Sequence, residues 1–150
     1  MRKPPHKPFP VYFRETHVKF SRFFARIFAR TDLTLPQYAL LSLIATQGRL
    51  TMTEAGEKLA ISKPAVTHLV DRLEASGCLR RAGDPKDRRI SFLEIQPRGK
   101  RVVHKMQGRA LALFAHALAR FGAEERKTIA RFYEHLSGTL EKALTEAGKK

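Results

Sequence analysis

Apolar residues recur every three or four positions through most of this chain, and only two short segments favour strand, so the pattern predicts a mainly helical protein. Val18, Phe20, Phe23, Phe24, Ile27 and Phe28, interleaved with Arg14, Lys19, Arg22, Arg26 and Arg30, predict a first helix from Val11 to Arg30 with a broad aromatic face. Such a face belongs in a core or a partner interface; stacking on single-stranded bases would require it to be exposed. Thr34 and Gln37 have capping-box spacing ahead of a second helix, Leu35 to Gln47, whose body around Tyr38, Leu41 and Ile44 is almost wholly apolar and which stops at Gly48. Residues 49–52 read as a short extended piece able to pair with later strands. Near the end, Pro97 opens a long helix carried by Val102, Val103, Met106, Ala110, Leu113, Phe114, Ala117 and Phe121 to a stop at Gly122. Another begins near Glu124 and Glu125, its seam running through Ile129, Phe132, Leu136, Leu140 and Leu144. These terminal helices carry more apolar surface than a small domain needs, which predicts self-association as a two-fold dimer.

The remaining pattern centres on residues 62–101. With Ser62 as N-cap and Pro64 in the first turn, a helix is predicted from Lys63 to about Ser76. Ala65, Val66, Leu69, Val70 and Leu73 gather on one side of it. The opposite arc therefore carries Pro64, Thr67, His68 and Asp71, flanked by Lys63 and Arg72. Short and hydrogen-bonding side chains of this kind suit a helix lying in a groove and reading base edges, although the same arc on a lone helix would equally be an ordinary solvated face. The preceding segment offers Thr53 as N-cap of a short helix, with Glu54 and Glu57 early and Ala55 and Leu59 facing inward. The few residues from Ala60 to Ser62 force the two helices to cross steeply, a helix-turn-helix arrangement. Beyond it, segments 79–82 and 90–95 favour strand around a turn at Gly83, Asp84 and Pro85, placing Lys86, Arg88 and Arg89 near the tip of a basic hairpin. A finger of that kind beside a recognition helix is placed to meet phosphates or the minor groove.

The stretch LAISKPAVTHLVDRLEASGCLRRAGDPKDRRISFLEIQPRGK closely resembles the winged helix-turn-helix core of the MarR family of bacterial transcription regulators. The resemblance extends from about Leu33 through Gly99, and the flanking helices fit the family's layout. It implies an all-α fold with a small β-hairpin wing, a winged helix-turn-helix (34–96) flanked by N- and C-terminal dimerisation helices (11–30 and 97–150) within a single domain, 1–150. It implies a homodimer on a pseudo-palindromic double-stranded DNA site, with a repressor's role. Carried over position by position, it marks Lys63, Pro64, Thr67, His68 and Arg72 as helix contacts and Lys86, Arg88 and Arg89 as wing contacts. Asp84 becomes a structural partner that orients a wing arginine. A small aromatic or phenolic effector between the dimerisation helices and the winged part is a further implication; no ligand-binding residue is assigned. Three positions depart from the family pattern: Gly56 stands where a larger residue is usual, Cys78 replaces an aliphatic, and Gln96 replaces a better N-capping threonine. None of the three is a base-reading position.

Composition sharpens this picture in a few places. A hydrophobic content of 43% in 150 residues supports a real core in one domain. The formal charge of +15 favours a polyanionic partner, which also keeps open an alternative, a non-specific nucleic-acid-binding structural protein. Residues 1–10, with four prolines, read as a flexible arm. A single cysteine excludes an internal disulfide framework, no apolar run is long enough for a membrane span, and no secretory pattern opens the chain, so a cytoplasmic location is expected. No metal-ligand spacing, phosphate loop or nucleophile elbow occurs, so neither an enzyme nor a cofactor is expected. His17, His104 and His116 would form a zinc site only by meeting across a dimer, against the more usual packed or surface role of helical histidines. Cys78 reads as a small hydrophobe.

Overall fold

The structure, a computed structural model, describes residues 7–85, 87 and 90–147. The chain forms two compact units that divide between Leu35 and Pro36.

The first unit is built on α1 (Phe9–Phe28), which starts two residues earlier than its apolar periodicity suggests. Pro10 sits in its first turn, where a missing N–H breaks no bond, so the proline-rich composition that predicted an arm through residue 10 does not keep Phe9 and Pro10 out of the helix. Residues 1–6 of that expected arm lie outside the described residues, and Lys7 Nζ donates to Glu15 Oε1 at 2.7 Å. The helix ends at Phe28 rather than Arg30. Its rings meet at helical spacing, Phe9 tilted against Phe13 with centroids 6.4 Å apart, and Phe13 stacked on His17 at 6.1 Å and Phe20 on Phe24 at 6.2 Å. Of the six apolar positions that defined its face, only Ile27 is buried; Val18 is 53% exposed and the four phenylalanines are half-buried.

The second unit contains α2 (Leu35–Gln47), β1 (Leu50–Thr51), α3 (Met52–Leu59), α4 (Lys63–Ala75), β2 (Leu79–Gly83), β3 (Ser91–Ile95), α5 (Pro97–Leu118) and α6 (Ala123–Ala147). The strands form one antiparallel sheet in the order β1-β3-β2, with Leu50 opposite Leu93 and Arg81 opposite Leu93 from the other side. The expected pairing of the short piece before α3 with the hairpin is thus present. Gly83 extends β2 opposite Ser91 instead of beginning the turn, and Ile90 stays outside β3. Leu40, Leu41, Ile44, Leu50, Ala55, Val66, Val70, Leu73, Leu79, Leu93, Val103 and Met106 are the buried apolar residues of this unit, and Cys78 is buried with them at 2% exposure. The cysteine therefore occupies an aliphatic's place.

The start of α5 is fixed by contact rather than by a cap, since Gln96 makes no side-chain capping bond. Its backbone N–H donates to Cys78 O at 2.9 Å, and a Cβ on Gly99 would overlap that same carbonyl and press on Ile95 Cγ1 at 2.9 Å. Glycine is what allows the helix to start against the end of the α4–β2 connection. At its other end α5 stops at Leu118, short of the Phe121 and Gly122 that its periodicity indicated. Arg126 Nε donates to Leu118 O at 3.1 Å and to Phe121 O at 2.8 Å, satisfying carbonyls that a continuing helix would have used, and Gly122 N–H donates to Glu125 Oε2 at 2.7 Å. Along α6 no described residue is buried: Phe132 is 51% exposed, Leu140 54% and Leu144 64%. No helix among the described residues is long and apolar enough to cross a membrane.

Candidate nucleic-acid interface

Two short helices and a hairpin position the surface on which the sequence converges. The helix α3 is capped by Thr51, not Thr53: Thr51 Oγ1 accepts from Glu54 N–H at 3.2 Å, and Glu54 Oε2 accepts from Thr51 N–H at 2.7 Å. This reciprocal pair holds the Glu54 carboxyl below its ordinary range, the backbone hydrogen bond from Thr51 being the main cause. The signal for this cap was in the sequence, since Thr51 and not Thr53 has an acid three residues on. The following turn passes through Ala60 in the left-handed region at φ 52° and delivers the chain to Ser62, which occupies the N-cap position of α4 without a side-chain capping bond. At Gly56 an added Cβ would lie 3.3 Å from both Ile61 O and Val66 Cγ2, so the small residue there accounts for the close approach of α3 to α4.

Burial divides α4 as its periodicity predicted. Val66, Val70 and Leu73 are buried and Ala65 and Leu69 half-buried, while Lys63, Pro64, His68, Asp71 and Arg72 are exposed and Thr67 is half-buried on the outer arc. The Thr67 hydroxyl donates to Lys63 O at 3.1 Å. Its proton is therefore committed to the helix, and what it offers outward is an acceptor lone pair and a methyl group.

Arg81 on β2 is a member of this surface that sequence reasoning did not single out. Its guanidinium donates to Asp71 Oδ1 at 2.7 Å and pairs with Glu74, whose other oxygen accepts from Arg81 N–H at 2.7 Å. The hydrogen bond to Asp71, reinforced by both carboxylates, raises the Arg81 pKa against a smaller desolvation effect, so the charge is permanent. Two consequences follow. Strand β2 is clamped to α4, and Asp71, the acid on the outer arc, is neutralised where an anionic ligand would otherwise be repelled. On β2's neighbouring position Arg80 pairs with Glu94 across the strands at 2.6 Å, and Arg49 lies over the Phe92 ring at 4.1 Å.

At the hairpin's end Asp84 N–H donates to Ile90 O at 3.0 Å and Ile90 N–H to Asp87 O at 3.0 Å, closing the turn. Lys86, Arg88 and Arg89, and with them the expected Asp84–Arg88 partnership, lie outside the described residues. A cavity of about 630 Å³ lies at the opposite end of the sheet, lined by Ile44, Ala45, Gly48, Arg49, Glu94, Ile95 and Lys100. Among the described residues no group of three or more His, Cys, Asp or Glu is placed to hold a metal ion.

Comparison with known proteins places this arrangement among others. The profile of the MarR family matches residues 31–90. Over 120 residues the chain is 29% identical to the HTH-type transcriptional regulator YfiV of Bacillus subtilis, a match covering 80% of this chain and 72% of that one. Other curated regulators are matched over about half their own length, 45% in one case and 43% in another. In three dimensions the chain is similar to a MarR family protein from Bacillus stearothermophilus, with a TM-score of 0.77 at 22% identity over 88% of this chain and 92% of that one. It is also similar to Bordetella bronchiseptica BpsR, whose DNA binding is regulated by 6-hydroxynicotinic acid, with a TM-score of 0.60 at 23% identity over 90% and 98% of the two chains.

Proposed function

We propose that this chain, whose residues 31–90 match the MarR family model, is a homodimeric repressor of that winged helix-turn-helix family that reads a pseudo-palindromic duplex site with α4 and grips the flanking phosphates with its wing. The observation that carries the reading is the outer arc of α4, which presents Lys63, Pro64, Thr67, His68 and Arg72 while Asp71, the acid on that arc, is neutralised by Arg81. Direct readout needs side chains of this kind free to enter the major groove. Lys86, Arg88 and Arg89 supply the wing's charge, with Asp84 orienting one of the arginines. The winged part, 34–96, does the binding, and the helices 11–30 and 97–150 dimerise within one functional domain; the exposed seam of Phe132, Leu136, Leu140 and Leu144 supports that division. A dimer seated on promoter duplex blocks its use, which makes repression the simplest outcome, and the cytoplasm, where the DNA lies, is its place of action. Release by a small aromatic effector completes the proposal. BpsR and its 6-hydroxynicotinic acid give that part its precedent, and the cavity lined by Ile44, Ala45, Ile95, Arg49 and Lys100, with Glu94 paired to Arg80, offers apolar surface and two cations to an aromatic carboxylate.

The test is selection of bound sequences from a random duplex pool at moderate salt. Enrichment of an inverted repeat, bound by two chains, is the expected result. The charge of +15 favours a second reading, a structural protein that coats nucleic acid without choice, and that reading predicts no enrichment and equal affinity for selected and random duplexes.

A further inference from the structure

The positive charge of this chain is not concentrated where α4 and the wing would use it. Helix α5 carries Arg98, Lys100, Arg101, Lys105 and Arg109 and not one acid along its length. At about 100° per residue, Arg98, Arg101, Lys105 and Arg109 fall within an arc of roughly 80°, and the exposed His116 continues the same line. All four cations are exposed, whereas the buried positions Gly99, Val103 and Met106 lie on another side of the helix. Among the described residues none of the four makes a hydrogen bond or ion pair with a side chain. A solvated helix of this protein looks different: α6 alternates Glu124, Glu125 and Glu134 with Arg126, Lys127 and Arg131, and Lys127 pairs with Glu124 at 2.8 Å.

We propose that this ridge of α5 is a second DNA-binding surface that takes the phosphate backbone of another duplex segment, so that the protein bound at its site also bridges to a second DNA. The inference rests on the reading of the chain as a DNA-binding regulator. Successive cations along the ridge are three or four residues apart, or roughly 5–6 Å, a spacing long flexible side chains can match to a row of phosphates. An anionic membrane would need large apolar side chains set among the cations, yet the ridge is interleaved with Gly108 and Ala112. Like charge also keeps two such ridges from facing each other across a dimer axis, so dimerisation through the apolar seams leaves them open. Because Gln96 and Gly99 tie the start of α5 to Cys78, just past the end of α4, the ridge begins beside the recognition helix and leads away from it.

The experiment uses the full-length protein saturated with a donor-labelled duplex long enough for both half-sites, to which an acceptor-labelled random duplex is added at low salt. Energy transfer between the two duplexes is expected for the wild type. In the variant combining Arg101→Gln, Lys105→Gln and Arg109→Gln, affinity for the second duplex should fall at least tenfold and its salt slope become shallower by about three units per ridge engaged, while affinity and slope for the first duplex stay unchanged. Absence of transfer in the wild type, transfer that survives the substitutions, or loss of first-duplex affinity in the variant would each overturn the proposal. So would capture of the protein by phosphatidylserine vesicles with no bridging of DNA. Loss of site selectivity in the first arm would instead count against the regulator reading, independently of the ridge.

Discussion

Replacing Arg81 by Ala should damage both stability and DNA binding, and the two effects can be separated because Arg81 does two things. Its side chain is 32% exposed and its partners Glu74 and Asp71 are 30% and 54% exposed, so water can take over part of each bond. Partly exposed pairs contribute about 0.5–1 kcal/mol each, which gives about 1–2 kcal/mol for the two and roughly 2–8 °C in the unfolding midpoint of a chain this size. Glu74 keeps the bond from the Arg81 backbone N–H, which limits the loss. The binding effect comes from Asp71, which becomes an unpaired negative charge on the arc that faces phosphate. A weakening of about tenfold, or about 1.4 kcal/mol, is expected for selected and random duplex alike. Asp71→Asn alone should change binding little, and added to Arg81→Ala it should restore most of the tenfold, a coupling of about 1 kcal/mol measured by fluorescence anisotropy in a double-mutant cycle. Failure of Asp71→Asn to rescue would refute the neutralisation argument. A loss of about 1–3 kcal/mol from Asp71→Asn alone, confined to the selected site, would instead make Asp71 a direct reader of a base amino group.

Other substitutions test the fold that positions the site. Gly99→Ala drives a methyl group into the Cys78 carbonyl and should cost about 3 kcal/mol, visible as roughly a 6–12 °C lower midpoint by circular dichroism; a change below 2 °C would show that α5 starts elsewhere. For Glu54 the folded pKa is depressed, so its contribution is present above the ordinary carboxylate value of 4.5 and is lost as pH falls through the folded value. Denaturation of wild type and Glu54→Ala should therefore differ at pH 7 and converge in acid, once the carboxyl is protonated in the folded state as well; a constant gap would remove the capping box as the cause. Cys78→Val should leave DNA affinity and its response to peroxide unchanged, since the thiol is a buried hydrophobe; loss of a peroxide response would make it a sensor.

Much of the architecture was legible because burial and periodicity agree. The inner face of α4 was predicted residue by residue from spacing alone, and so was the close of α2 before Gly48. Element ends were less so, each for a physical reason. Thr53 reads from the sequence as the cap of α3, whereas Thr51, paired with Phe92 in the sheet, has the acid three residues on that closes the capping box. The apolar pattern ran through Phe121, but α5 stops at Leu118, where Arg126 reaches back to the Leu118 and Phe121 carbonyls, a side-chain contact that apolar periodicity does not report. Arg81 was missed because its partners Asp71 and Glu74, ten and seven residues before it, meet it only when β2 doubles back along α4. The aromatic pattern of α1 reports which side is apolar and not what covers it, and in the single chain Phe20, Phe23, Phe24 and Phe28 are half-buried.

The central claim, that α4 reads bases while the wing grips phosphate, is tested most directly by titrating Thr67→Ala and His68→Ala proteins, alongside Lys86→Ala and Arg88→Ala, against a selected and a random duplex over a range of salt. Thr67 has only an acceptor and a methyl to offer, and His68 is fully on the exposed arc. Each helix substitution should cost about 1–3 kcal/mol on the selected site and change random-sequence binding little. Each wing substitution should weaken both duplexes together and make the slope of log K against log salt shallower by about one unit per contact per subunit. The opposite pattern, with helix substitutions moving random-duplex affinity and slope while wing substitutions leave both untouched, would contradict the account.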